Sequence, residues 1–128
     1  MDEIYKCIWD DAEFGDLLSR WDPTIEEKYR VIDCGYGWGD IIRRCHAELL
    51  SMDPEYVIVQ IKEKFGMLRY YFTPSKHEYF APMEEVSFRY EKESVHICEV
   101  CGKDGALRRN KGIGAHARTV CEDHGSAR

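Results

Sequence analysis

Two short clips near the C-terminus carry the residues best suited to chemistry: Cys98-Glu-Val-Cys101 and, nineteen residues later, Cys121-Glu-Asp-His124. Three thiolates and one imidazole are a donor set for a tetrahedral zinc ion. A two-residue spacer lets each clip curl back, so that both its ends reach one metal. Gly102 supplies the tight turn expected after the first clip. Four protein donors leave no position open for water or substrate, so the Zn2+ expected at Cys98, Cys101, Cys121 and His124 is structural rather than catalytic. The competing reading, a disulfide pair, belongs to an oxidising compartment.

The surrounding chain argues for a reducing one. Met1-Asp-Glu-Ile-Tyr-Lys6 is acidic and lacks an apolar run, so neither a signal peptide nor a membrane span is expected and the location reads as cytoplasmic. Cys7, Cys34 and Cys45 then read as small buried apolar residues. With 128 residues the chain suits one compact unit, read as an α+β body over residues 1–97 and a zinc-binding module over residues 98–128. Residues 1–97 hold 12 Lys/Arg against 20 Asp/Glu, and residues 98–128 hold 6 against 4, so a body of −8 and a tail of +2 make the net −6. Such an acidic whole disfavours a nucleic-acid partner and leaves a protein partner as the expectation. Arg108, Arg109, Lys111 and Arg118, between the clips, form a local basic exception.

The elements that must position these residues follow from periodicity. Asp10-x-x-Glu13 resembles a capping signal before Phe14, Leu17, Leu18 and Trp21 at helical spacing, and Thr24-x-x-Glu27 reads as the cap of a second short turn. After Val31-Ile32-Asp33 and a glycine-rich loop, Trp38, Ile41, Ile42, Cys45, Leu49 and Met52 predict a stronger helix. Residues 56–73 predict an antiparallel hairpin about Phe65-Gly66, with Val57, Val59 and Ile61 facing Leu68, Tyr70 and Phe72 on the apolar side. Its other side carries Lys62, Lys64, Arg69 and Tyr71, a solvated face or a partner-binding patch, to which Arg108, Arg109 and Lys111 add. A third helix is expected to start near Pro82, with Met83, Val86, Tyr90 and Ile97 on its stripe, and to lead directly into Cys98. Ala106 to Arg109 and Ala117 to Val120 predict a short ribbon around Gly112-Ile-Gly114.

Three motifs invite an enzymatic reading. Asp33-Cys-Gly35-Tyr-Gly37-Trp-Gly39 before a helix resembles the glycine-rich cradle of Rossmann-like methyltransferases, although a hairpin and a zinc tail leave no room for the remaining parallel strands. His46-Ala-Glu48 resembles the H-x-E of zinc deaminases, a reading that would strip Cys121 and His124 of a role. The clips also suit an HNH-type nuclease, for which His116 is the only candidate base between them, and no Asp-His or Asn-His pair accompanies it. His77 and His96 add nothing specific.

A broader likeness spans roughly residues 31–124. Gly37-Trp38, Gln60-Ile-Lys62-Glu-Lys64-Phe65-Gly66-Met-Leu68-Arg69-Tyr70-Tyr71-Phe72 and the two clips resemble a group of small bacterial and phage proteins. The resemblance implies the architecture and a cytoplasmic, mobile-element setting, and it supplies no mechanism. The expectation is an α+β fold with helices on an antiparallel β-hairpin and a C-terminal zinc-ribbon or treble-clef-like module. The expected function is non-catalytic binding, in that setting inhibition of a host defence system. The alternatives are an enzyme acting on nucleotides or nucleic acid, and a nucleic-acid-binding zinc protein.

Overall fold

The computed structural model describes Trp9, residues 11–109 and residues 117–125. Phe14 and Leu17, one turn apart, are the buried side of α1 (Asp11–Leu18). Trp21 then leaves the helix and bridges to Ile58, with the Asp22 N–H donating to Ile58 O at 2.8 Å. The turn that follows is capped by Asp22 rather than Thr24. Asp22 Oδ1 accepts both the N–H and the hydroxyl of Thr24, because an aspartate reaches its own backbone two residues on.

The first strand, β1 (Ile32–Asp33), feeds the glycine-rich loop and α2 (Gly39–Met52), whose Ile41, Ile42, Cys45 and Leu49 form the expected buried stripe. The chain returns as β2 (Val57–Lys64), and β1 lies parallel to it with Ile32 opposite Ile61 and Asp33 opposite Lys62. This corrects the hairpin-only expectation. The sheet has three strands in the order β1-β2-β3, and α2 is the crossover that makes the parallel pair possible.

The hairpin of β2 and β3 (Met67–Thr73) is antiparallel as read, but its apolar register differs. A bulge between Ile58 and Gln60 adds one residue to β2, so Ile58 and Ile61 are fully buried while Val57 and Val59 are only partly covered. Leu68, Tyr70 and Phe72 are buried as expected.

Helix α3 (Phe80–Ser94) begins two residues before Pro82 and ends at Ser94, so Ile97 is not on it; Ile97 pairs instead with Asp104 beyond the first clip. Met83, Val86 and Tyr90 are buried against the core. The helix also closes the free edge of β3. Leu68 N–H donates to Ser94 Oγ at 3.0 Å and Tyr70 N–H to Glu91 Oε2 at 3.1 Å, which is why Ser94 and Glu91 are buried on an otherwise polar stretch. Last come β4 (Ala106–Arg109), its antiparallel partner β5 (Ala117–Val120) and the short α4 (Glu122–Gly125). Cys7, Lys111, His116 and the Gly112–Gly114 turn lie outside the described residues. Among those described, no helix is long and apolar enough to cross a membrane.

Candidate metal centre

The first clip is shaped by its own backbone. Cys98 N–H donates to Lys103 O at 2.7 Å and Gly102 N–H to Cys98 O at 2.9 Å, with Gly102 at a φ of 84° that a glycine adopts without strain. The β4–β5 pair returns the chain to Cys121, and α4 brings His124 back over the same point. Donor atoms of Cys98, Cys101, Cys121 and His124 all lie within 4.8 Å of one another. These are the four ligands read from the sequence.

Distances test the fit. A tetrahedral ion with Zn–S of about 2.3 Å and Zn–N of about 2.05 Å sets sulfurs about 3.8 Å apart and sulfur and nitrogen about 3.6 Å apart. Cys101 Sγ lies 3.7 Å from Cys121 Sγ, and Cys98 Sγ lies 3.6 Å from His124 Nδ1, while Cys121 Sγ to His124 Nδ1 is shorter at 3.2 Å. The described cysteines are all free thiols. Burial opposes ionisation of Cys98, but N–H groups of Cys101, Cys121 and Val100 together with His124 outweigh it and hold this thiol at about 6. At Cys101 the Lys103 N–H favours the thiolate, but desolvation and the neighbouring sulfurs of Cys98 and Cys121 together outweigh it and push this thiol up. A site that gathers N–H donors around sulfur is built for thiolates.

The centre is fastened to the body through residue types that sequence reasoning passed over. Glu99, inside the first clip, is buried with its side chain 1% exposed; it accepts the Gly35 N–H at 2.8 Å and pairs with Arg118 at 2.7 Å. Gly37 N–H donates to Glu99 O at 2.7 Å and Trp38 Nε1 to Ile97 O at 2.9 Å. A Cβ on Gly37 would stand 2.2 Å from Cys98 O, and one on Gly35 2.3 Å from Glu99 O. The glycine-rich loop is therefore packed against the clip backbone. The signal in the sequence was a carboxylate beside paired glycines, and nothing local told which surface it would meet.

The other candidate residues are scattered. Glu48 accepts from Arg89 at 2.6 Å and from the Tyr90 hydroxyl at 2.7 Å, and both His46 ring nitrogens are engaged, with Asp16 and Tyr56. Neither joins the Cys98 cluster. Cys34 and Cys45 are buried, and burial pushes both thiols up, as expected of apolar cysteines. Lys62 faces Arg69 across the hairpin, with Lys64 and Tyr71 exposed nearby. Arg69 is not a free surface cation, since it bends towards buried Glu91 at 3.9 Å. Arg108 donates to Val120 O at 3.1 Å, and Arg109 pairs with Ala117 along the ribbon. A cleft of about 270 Å3 opens beside Cys101, where Asp40 is already spent on Arg43 and Arg44. No protein-family model, curated protein or solved structure matches the chain.

Proposed function

We propose that this chain is a non-catalytic binding protein whose C-terminal third is locked to its body by one structural Zn2+. The observation that carries the reading is the closed donor set: three sulfurs and one imidazole nitrogen mutually within 4.8 Å, enough to supply all four positions of a tetrahedral ion. The order of clip, β-hairpin and short helix bearing the last ligand supports a treble-clef-like module. The engagement of Glu48 by Arg89, and of Gly35 and Gly37 by the clip, speaks for scaffold roles at the motifs that suggested deaminase and methyltransferase chemistry. Binding is to a protein partner in the cytoplasm. The mobile-element setting implied by the resemblance gives it a purpose, inhibition of a host defence component.

Elemental analysis of the purified chain tests the centre. We expect one equivalent of zinc, which Cys101→Ser abolishes. A full equivalent retained by Cys101→Ser, or an inner-sphere water seen by X-ray absorption spectroscopy, would overturn the closed structural site and return the hydrolytic alternatives to favour.

A further inference from the structure

The two most exposed large apolar side chains among the described residues are Phe65, 75% exposed, and Leu107, 60% exposed. They are forty-two positions apart in sequence. The fold brings them to one place: a Cβ on Gly66 would lie 2.4 Å from Leu107 Cδ1, and the buried Thr119 opposite Leu107 donates its hydroxyl to Gly66 O at 2.5 Å. The metal-held ribbon thus sits on the tip of the β2–β3 hairpin.

Phe65 is also in the wrong conformation for its type. Its φ of 56° and that of 81° at Gly66 make the mirror-image two-residue turn that suits a hairpin, in which both central residues have positive φ. Asn, Asp or Gly fills the first position at little cost, whereas a bulky aromatic there is an outlier. The ring repays the fold little, because three-quarters of it is in water and the Lys64 ammonium, 5.6 Å from the ring centre, is its one aromatic-type contact among the described residues. A strained residue that contributes little burial points to a use outside the fold. Beside it on β2, Lys62 and Lys64 have no ion pair among the described residues, on a chain of net charge −6. The ion-paired cations described on the body are arginines: Arg20 with Asp16, Arg43 and Arg44 with Asp40, Arg69 with Glu91 and Arg89 with Glu48.

We infer that Phe65 and Leu107 are the apolar anchors of a protein-docking surface, and that Lys62 and Lys64 select a partner segment whose apolar side chains are flanked by Asp and Glu. Exposed aromatics set in a rim of charge are the usual energetic centres of interfaces. The aliphatic Leu107 beside the ring favours a protein segment over a nucleic acid, and the chain's net charge of −6 repels a backbone with a phosphate at every nucleotide more than a segment with a few carboxylates. The inference rests on the binding reading above and supplies its partner class.

The test uses the zinc-loaded full chain to select from a displayed random peptide library, with the strongest peptide resynthesised carrying a fluorophore and a short oligothymidylate as counter-probe. Selected peptides should carry aromatic or aliphatic residues flanked by Asp or Glu. Phe65→Asn should weaken the peptide on the order of tenfold or more, and added salt or Lys64→Glu should weaken it further. The same Phe65→Asn chain should melt no lower than the parent and about 4 °C higher if the αL strain is fully relieved. Undiminished peptide binding by Phe65→Asn or a lower melting temperature of that variant overturns the anchor assignment while leaving the binding reading standing, whereas tighter binding of the oligothymidylate overturns the protein partner as well. Selection of no peptide at all overturns both.

Discussion

His46 has chemistry set wholly by its neighbours. Its Nε2 lies 2.6 Å from Asp16 Oδ2, its Nδ1 lies 2.6 Å from the Tyr56 hydroxyl, and that hydroxyl lies 2.7 Å from the hydroxyl of Tyr70. With a neutral ring each donor is used once: Nε2–H to Asp16, Tyr56 to Nδ1, Tyr70 to Tyr56. Protonation turns Nδ1 into a donor and strands one hydroxyl proton between two fully buried tyrosines. Burial accordingly pushes the His46 pKa below its ordinary value, against the raising effect of Asp16, and Arg20 adds to the lowering. A base whose folded value is depressed contributes stability that is complete above its unfolded value of about 6.5 and is lost as pH falls through the folded one. We expect the His46 ring to titrate below about 6.5 by NMR, and the melting temperature to fall more between about pH 7 and pH 5 in the parent than in His46→Gln. A ring midpoint above the unfolded value would contradict the one-way chain.

Among the elements, the junction of β1 with α2 and the first clip is the least tolerant. Gly35 and Gly37 give N–H donors to Glu99 while their missing side chains let the Cys98–Glu99 backbone pass. Gly37→Ala would set a Cβ 2.2 Å from Cys98 O, a backbone atom that no rotamer change can move. The expected cost is about 3 kcal/mol in denaturant unfolding, since overpacking against backbone cannot relax cheaply. Zinc affinity should fall with it, because the clip loses the surface that orients it. Gly15, inside α1 with open space around an added methyl group, is the matched control, and Gly15→Ala should leave both quantities unchanged or slightly improved.

On the proposal that the Cys98 cluster holds zinc, metal and core share their stability across the whole molecule. Structural zinc in finger-like sites binds with about 10–16 kcal/mol, comparable to the roughly 5–15 kcal/mol that holds an entire domain. Chelation should therefore release more than the tail. The Gly35 and Gly37 amides, whose acceptors belong to Glu99, are expected to lose hydrogen-exchange protection together with the ribbon. Amides in the middle of the β2–β3 pair, where Lys62 faces Arg69, should stay protected longest. Equal protection of Gly37 with and without zinc would show the clip and body to be energetically independent.

The amino-acid order determined the parts of this protein that depend on neighbours a few positions away. The cluster of Cys98, Cys101, Cys121 and His124 was legible because clip spacing is local, and so were the α2 stripe and the Phe65-Gly66 hairpin, because one period or one turn decides each. Only the tertiary structure decided the rest. Two residues of β1 carry no period, so their parallel pairing waited on the return of α2. The bulge at Val59 moved Ile58 inward by adding one residue to a strand whose alternation looked regular. Glu99 and Gly37 meet across more than sixty positions, and Phe65 and Leu107 across forty-two, so their partners are fixed by packing rather than by spacing.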